Sequence, residues 1–188
     1  MSFTPGPNTT LSAALAANQG LRRALPFVCS VALGWGMLLT LCALGLGALV
    51  LAMPLLGWAV KLVGVGYLLW LAFKLTGVRH LGEAADARLQ VTFWQGAALQ
   101  FVNIKAWMLA LAIVSGWIAG RADSAQRFAV VLPLMLAFAY CSNLTYALVG
   151  SLLRNWLAGP AGSGRRLLAF NRAMALVLAA TAFWMLLR

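Results

Sequence analysis

The segment "FTPGPNTTL", residues 3–11, stands where the first membrane helix of a mostly apolar chain should begin. Two prolines flank a glycine, so the backbone loses two hydrogen-bond donors and gains flexibility. We interpret the segment as the start of a half-helix inside the membrane, with Thr4 as its cap and Pro5 as its first residue. Its free N–H groups and positive dipole end suit an anionic ligand. The alternative is a kinked helix whose polar groups are satisfied by neighbouring helices.

The composition is that of an integral membrane protein. Hydrophobic residues make up 63% of the 188 residues and charged residues only 9%. A membrane helix needs about 20 mostly apolar residues, so the chain has room for about six helices and no soluble enzyme. The sequence therefore predicts a single transmembrane domain covering residues 1–188.

The net charge is +11, from 14 Lys and Arg against 3 Asp and Glu. In a soluble protein this excess would suggest nucleic acid as a partner. Here most of the basic residues fall in loops between apolar runs, which indicates membrane topology and contact with anionic lipids instead. No nucleic acid is expected.

The sequence offers little for a metal, a cofactor or catalysis. His80 is the only histidine and lies in a polar loop, and the three cysteines are widely spaced within apolar runs. No metal pattern results, and the apolar runs hold no nucleophile paired with a base. We expect no metal site, no cofactor and no enzymatic activity.

The chain divides into six apolar segments, which predicts an all-α integral membrane fold with about six transmembrane helices. The segments are Phe3–Gln19, Pro26–Met53, Leu55–Leu75, Phe93–Ala119, Phe128–Leu153 and Leu168–Leu187. A polar loop, residues 76–92, separates the first three from the last three. Basic residues concentrate in the first, third and fifth loops, which places these in the cytoplasm and both termini outside.

Six tryptophans fall near the ends of the apolar runs, as expected for residues at the membrane–water interface. They are Trp58, Trp70, Trp94, Trp117, Trp156 and Trp184.

The two halves of the chain follow the same order. Each half, residues 1–75 and 93–188, opens with a broken polar segment and continues with two apolar runs. Because each holds three helices, the halves must be inverted in the membrane. Inverted repeats with interrupted helices mark the binding sites of secondary transporters.

The second broken segment contains Lys105, an unusual residue for its depth. Lys105 lies about 13 Å past Gly96 at ~1.5 Å per residue, and a lysine there costs ~2.5–3.5 kcal/mol on insertion scales. The three acids all fall in loops: Glu83, Asp86 and Asp123. The partner of Lys105 is therefore a set of carbonyls, a deprotonated state or an anion that comes and goes. We favour the anion, a substrate carboxylate.

A lysine beside helix N-termini suits a carboxylate, and the missing intramembrane acids argue against cationic substrates. If the substrate has an ammonium group, freed carbonyls and Asn8, Gln100 or Asn103 would receive it. This favours neutral amino acids over basic ones. A carboxylate proton relay within the membrane is not available.

Four motifs together resemble the lysine exporter family, in the branch with homoserine and threonine efflux proteins (LysE/RhtB). They are "TPGPNT", "QFVNIKAW", "GVGYLLWLAFKL" and "FNRAMALVLAATAF", and they cover essentially the whole chain in order. The resemblance implies a multi-pass exporter of amino acids in the bacterial inner membrane, driven by the proton gradient. It assigns the following residues to the two family signatures: Thr4, Pro5, Gly6, Pro7 and Asn8 in the first, and Gln100, Asn103, Lys105 and Ala106 in the second. All of these except Ala106 are expected to bind the substrate.

Two departures from the family pattern bear on the fold. Ile104 replaces the proline of a usual Asn-Pro-Lys, so we expect a softer break in the fourth helix. Only Met1, Ser2 and Phe3 precede the Pro-Gly-Pro segment, whereas the family carries a longer apolar segment there. We expect that the first helix is truncated and that the native gene supplies about 10–15 more apolar residues upstream.

Two further interpretations stay open. A truncated member of the family could be a non-transporting protein that only associates with other membrane proteins. The glycine pairs Gly34/Gly36 and Gly45/Gly47 permit close helix contact, either within the chain or between the two subunits of a homodimer.

Overall fold

The computed structural model describes residues 4–79, 81, 89–159 and 164–187, and within these ranges all regular structure is helical. The helices are α1 (Pro7–Gln19), α2 (Leu21–Ala43), α3 (Leu46–Ala52), α4 (Pro54–Thr76), α5 (Phe93–Val102), α6 (Ile104–Ile113), a π-helical turn (Val114–Ile118), α7 (Ser124–Ala158) and α8 (Arg165–Leu187). The predicted all-α membrane fold is confirmed in this part of the chain.

Four of the described helices are long and apolar enough to cross a membrane: α2, α4, α7 and α8. The segment of α5, α6 and the π-helical turn bends by 68° and makes a fifth crossing if it is counted as one span. Helix α1 has 13 residues, which at ~1.5 Å each reach only about 20 Å. The described residues therefore hold four or five candidate spans rather than six complete ones.

Two predicted helix starts are wrong. The first helix begins at Pro7, with Gly6 as its cap, and not at Pro5 with Thr4 as the cap. The second begins at Leu21, ahead of Pro26, because Gly20 adopts a φ of 87° and turns the chain directly out of α1. Pro26 then lies inside α2, near its first turns, and the predicted run to Met53 divides into α2 and α3.

The helices pack in four main pairs. Helix α1 packs on α7, α4 packs on α8, and α2 packs on both α5 and α7. Two of these contacts close through glycine: a Cβ on Gly34 would overlap the carbonyl of Ala97 on α5, and one on Gly150 would overlap that of Ala13 on α1. Gly34 thus serves a contact within the chain.

The six tryptophans predicted at run ends are all exposed, at 39% or more of their surface. Three of them lie under a basic side chain. Lys74 Nζ is 4.0 Å from the ring of Trp70, Lys61 Nζ 4.4 Å from Trp58, and Arg166 Cζ 4.9 Å from Trp156. Such aromatic and cationic groups suit the level of the lipid headgroups.

The middle of the predicted polar loop, residues 80 and 82–88, lies outside the described residues. This includes His80 and the loop acids Glu83 and Asp86. Asp123 is described, just ahead of α7, where its carboxylate accepts a hydrogen bond of 2.8 Å from Arg127.

Candidate functional site

The start of α1 is held open by its own sequence. Pro7 occupies the first helical position, which its fixed φ suits. The hydroxyl of Thr9 accepts a hydrogen bond from the N–H of Gly6 at 3.1 Å and donates to its carbonyl at 3.2 Å. The next N–H groups of the first turn have no acceptor within the helix, so they are available to a ligand.

The second break, between α5 and α6, is made without proline. Asn103 is extended, with φ −94° and ψ 101°, and its side chain accepts a hydrogen bond from the N–H of Lys105 at 3.1 Å. The indole of Trp107 donates to the carbonyl of Phe101 at 2.7 Å, which satisfies a carbonyl freed by the break. The segment bends by 68° at this point although Ile104 stands in place of the proline, since an asparagine cap and a tryptophan satisfy polar groups at the break.

Lys105 joins the two breaks. Its ammonium group donates to the hydroxyl of Thr4 at 2.5 Å and to the carbonyl of Thr4 at 3.3 Å. A Cβ on Gly6 would lie 3.4 Å from Lys105 Nζ, so the lysine rests against the backbone just ahead of α1. All these partners are neutral oxygens or backbone, and among the described residues no carboxylate pairs with Lys105.

A cavity of about 580 Å³, its open mouth included, lies where α1, α2, α6 and α7 meet. Its lining combines both breaks with the middle of α2 and α7: Thr4, Gly6, Pro7, Asn8, Thr9, Val31, Trp35, Asn103, Lys105, Ala106, Leu109, Met135, Ala139, Ser142 and Asn143. Lys105 is the only charged residue of this lining. We call this space, with the lining given above, the polar cavity.

A second, more apolar cavity is lined by some of the same residues. It shares Gly6, Asn103 and Lys105 with the polar cavity, adds Pro5, and is closed by α8 from Val177 to Met185. Lys105 therefore lines both cavities.

The structure brings seven of the eight predicted site residues to the two cavities and places Gln100 behind them. The amides of Gln100 and Asn8 bond reciprocally, at 2.9 Å and 3.1 Å, and Gln100 also donates to the carbonyl of Gly96 at 3.3 Å. Gln100 is fully buried, so it orients Asn8 and does not line either cavity.

Four polar residues that the sequence analysis did not single out tie α1 to its neighbours. Ser12 donates to Asn143 on α7 at 2.9 Å. The amides of Asn18 and Asn171 bond reciprocally at 2.8 Å and 3.0 Å, joining α1 to α8. The sequence signal was the set of polar residues in α1, which includes Ser12 and Asn18. Residues 9–18 are all buried, and buried polar groups need hydrogen-bond partners.

Comparison with known proteins gives a consistent result. The family described as LysE type translocator matches residues 1–188. The cysteine/O-acetylserine efflux protein of Escherichia coli (strain K12) is 28% identical over 157 residues, which cover 81% of this chain and 78% of that protein. The protein of the same name from Salmonella typhi is 28% identical over 156 residues, with the same coverage. No solved structure matches the chain.

Proposed function

Because the chain belongs to the LysE-type translocator family and is therefore a transporter and not an enzyme, we propose that it exports small neutral amino acids across the bacterial inner membrane. The relatives named for cysteine and O-acetylserine efflux support this class of substrate. Homoserine and threonine, which the sequence favoured, belong to the same class of small polar zwitterions.

The polar cavity carries the proposal. Its single charge is the ammonium group of Lys105, which rests on two neutral oxygens of Thr4. A substrate carboxylate would offer this group a full opposite charge in a site of low dielectric, where such a pair is stronger than in water. The free N–H groups at the start of α1 would add to the attraction.

The packing supports two inverted repeats, residues 1–75 and 93–188. In this scheme α1 corresponds to the bent pair α5–α6, α2 to α7, and α4 to α8. The contact of α1 with α7 then has its counterpart in the contact of α5 with α2. The contacts of α2 with α7 and of α4 with α8 each join two corresponding helices, so exchanging the two halves leaves them unchanged. Both broken helices would meet at the pseudo-two-fold axis, where Lys105 contacts Thr4.

Export is driven by the proton gradient in this proposal. Lys105 is the only side chain of the polar cavity with a titratable charge. Because no acid lines this cavity, the proposed coupling uses no carboxylate relay there.

Efflux from proteoliposomes tests the function directly. Vesicles that contain the purified protein are loaded with labelled O-acetyl-L-serine, and the label released is followed with and without an opposing proton gradient. We expect release that exceeds that of protein-free vesicles and that the gradient accelerates. A folded protein that releases no small neutral amino acid would support the alternative of a non-transporting interaction protein.

A further inference from the structure

The polar cavity provides for a carboxylate at Lys105, but a zwitterionic substrate also brings an ammonium group. No Asp or Glu is among the residues that line the cavity, so a neutral oxygen must receive it. The three residues expected for this role are placed elsewhere. Gln100 is buried and does not line the cavity. Asn103 caps α6 at the N–H of Lys105, and Asn8 lies on the first turn of α1, next to the contact of Thr4 with Lys105, so both belong to the end of the cavity that would receive the carboxylate.

We propose that Asn143 on α7, held in place by Ser12, binds the α-ammonium group of the substrate, so that the cavity selects amino acids over carboxylates that lack an amino group. This inference rests on the proposed function. It assigns a binding role to a residue outside both family signatures.

The hydrogen bonds of Asn143 leave an acceptor for the ligand. Its Oδ1 accepts from the hydroxyl of Ser12 at 2.9 Å, and its Nδ2 donates to the carbonyl of Ala139 at 2.8 Å. A side-chain amide has two N–H donors and two lone pairs on its oxygen. One lone pair therefore stays unused, on a residue that lines the polar cavity and is only 4% exposed.

Ser12 fixes the amide in this orientation. It is fully buried in α1 and does not line the cavity, so it acts through Asn143 as a positioning residue. The approach of the two helices makes the bond reachable, because Gly150 on α7 lies directly against the backbone of Ala13, next to Ser12. A bulkier residue than Gly150 would separate α7 from α1.

The positions of these groups predict how a zwitterion would be oriented in the cavity. Lys105 enters from α6, while Asn143 and its neighbour Ser142 enter from α7. A zwitterion with its carboxylate at Lys105 turns its ammonium group toward α7. A carboxylate without an amino group binds Lys105 equally well and gains nothing from Asn143.

The test compares two ligands that differ only in the amino group, O-acetyl-L-serine and 3-acetoxypropionate. Their dissociation constants are measured by calorimetry on the purified, intact chain in lipid nanodiscs. We expect the wild-type protein to bind the amino acid at least tenfold more tightly. Asn143→Leu should bring the ratio of the two constants close to one by weakening only the amino acid, and Ser12→Ala should lower the ratio less.

Three further variants keep the test decisive. Asn143→Asp preserves the size and the acceptor for Ser12 and adds a negative charge, so it should raise the ratio even if the Leu variant does not fold. Lys105→Gln should weaken both ligands by the same factor. Ser30→Ala is the matched control, because Ser30 is a buried serine that donates to the carbonyl of Phe27 and should leave both constants unchanged.

An unchanged ratio in folded Asn143→Leu would overturn the inference, as would equal weakening of both ligands. Equal binding of the two ligands by the wild-type protein would overturn it as well and leave the proposed function standing. If the wild-type protein binds neither ligand, the proposed function fails first.

Discussion

The two chain breaks reach the same result by different means. Ahead of α1, the backbone itself is restricted by Pro5 and Pro7, and the N-cap residue, Gly6, has no side chain to bond the first turn. Between α5 and α6, the sequence has no proline, and the break depends on the cap by Asn103 and on the bond from Trp107 to Phe101. The first break follows from the proline rings, which restrict the backbone directly, whereas the second depends on hydrogen bonds made by side chains.

This difference predicts where each break is vulnerable. A proline fixes φ whatever surrounds it, so the first break should survive the loss of its polar contacts. An asparagine cap acts only while its hydrogen bond persists, and the second break should therefore depend on its side chains and on the helix that packs against it. Besides α2, which packs on α5, α4 packs against the break itself, where its Gly64 lies against the carbonyl of Val102.

The largest effect on stability is expected at Gly64. A Cβ there would overlap the carbonyl of Val102 and lie 3.2 Å from Met185 Cε. Because a backbone carbonyl at the break cannot yield as a flexible side chain can, Gly64→Ala should destabilise the protein by about 3 kcal/mol. Thermal unfolding in detergent measures this.

Gly66 on the same helix provides the matched control, since a Cβ there meets nothing within 4 Å. Gly66→Ala should stabilise α4 by ~0.5–1 kcal/mol through helix propensity. Equal effects of the two variants would mean that α4 does not hold the second break.

A smaller effect is expected from removing the polar contact at each break. Asn103→Ala deletes the cap of α6 and should cost about 1 kcal/mol. Thr9→Val deletes both bonds to Gly6, yet Pro7 still fixes the start of α1, so the loss should be smaller, about 0.5 kcal/mol. Chemical unfolding of the two variants under identical conditions gives the comparison, and a larger loss in Thr9→Val would reverse our account of the two breaks.

The smallest effect is expected from placing the family's proline in the second break. Ile104 is the first residue of α6, a position where the N–H has no acceptor within the helix and proline is favoured. Ile104→Pro should change stability by less than about 1 kcal/mol and should make Asn103→Ala less harmful.

Ala112→Pro serves as the control in the interior of the same helix, where an exposed alanine occupies a regular turn. It should cost about 3 kcal/mol or more. Ile104→Pro that is as damaging as Ala112→Pro would show that the break at Asn103 is not compatible with a proline.

Hydropathy and the breaker residues were enough to predict the long helices and both breaks, and they singled out Lys105 as unusual for its depth. They failed at Pro26, where proline was read as a start although it lies inside α2, because a nearby glycine with positive φ decides the start. The partners of α1 could not be predicted. Ser12 and Asn143 are 131 positions apart, and only the packing of α1 against α7 brings them together.

The central claim is that Lys105, where the two breaks meet, binds the carboxylate of the substrate. Efflux of labelled O-acetyl-L-serine from proteoliposomes with Lys105→Gln tests this most directly, with Lys105→Arg beside it and folding checked by size-exclusion chromatography. Our account predicts that the Gln variant folds and releases no more label than protein-free vesicles. The Arg variant should recover only part of the activity, since a planar fork replaces a compact ammonium group. Wild-type efflux by Lys105→Gln would contradict the account.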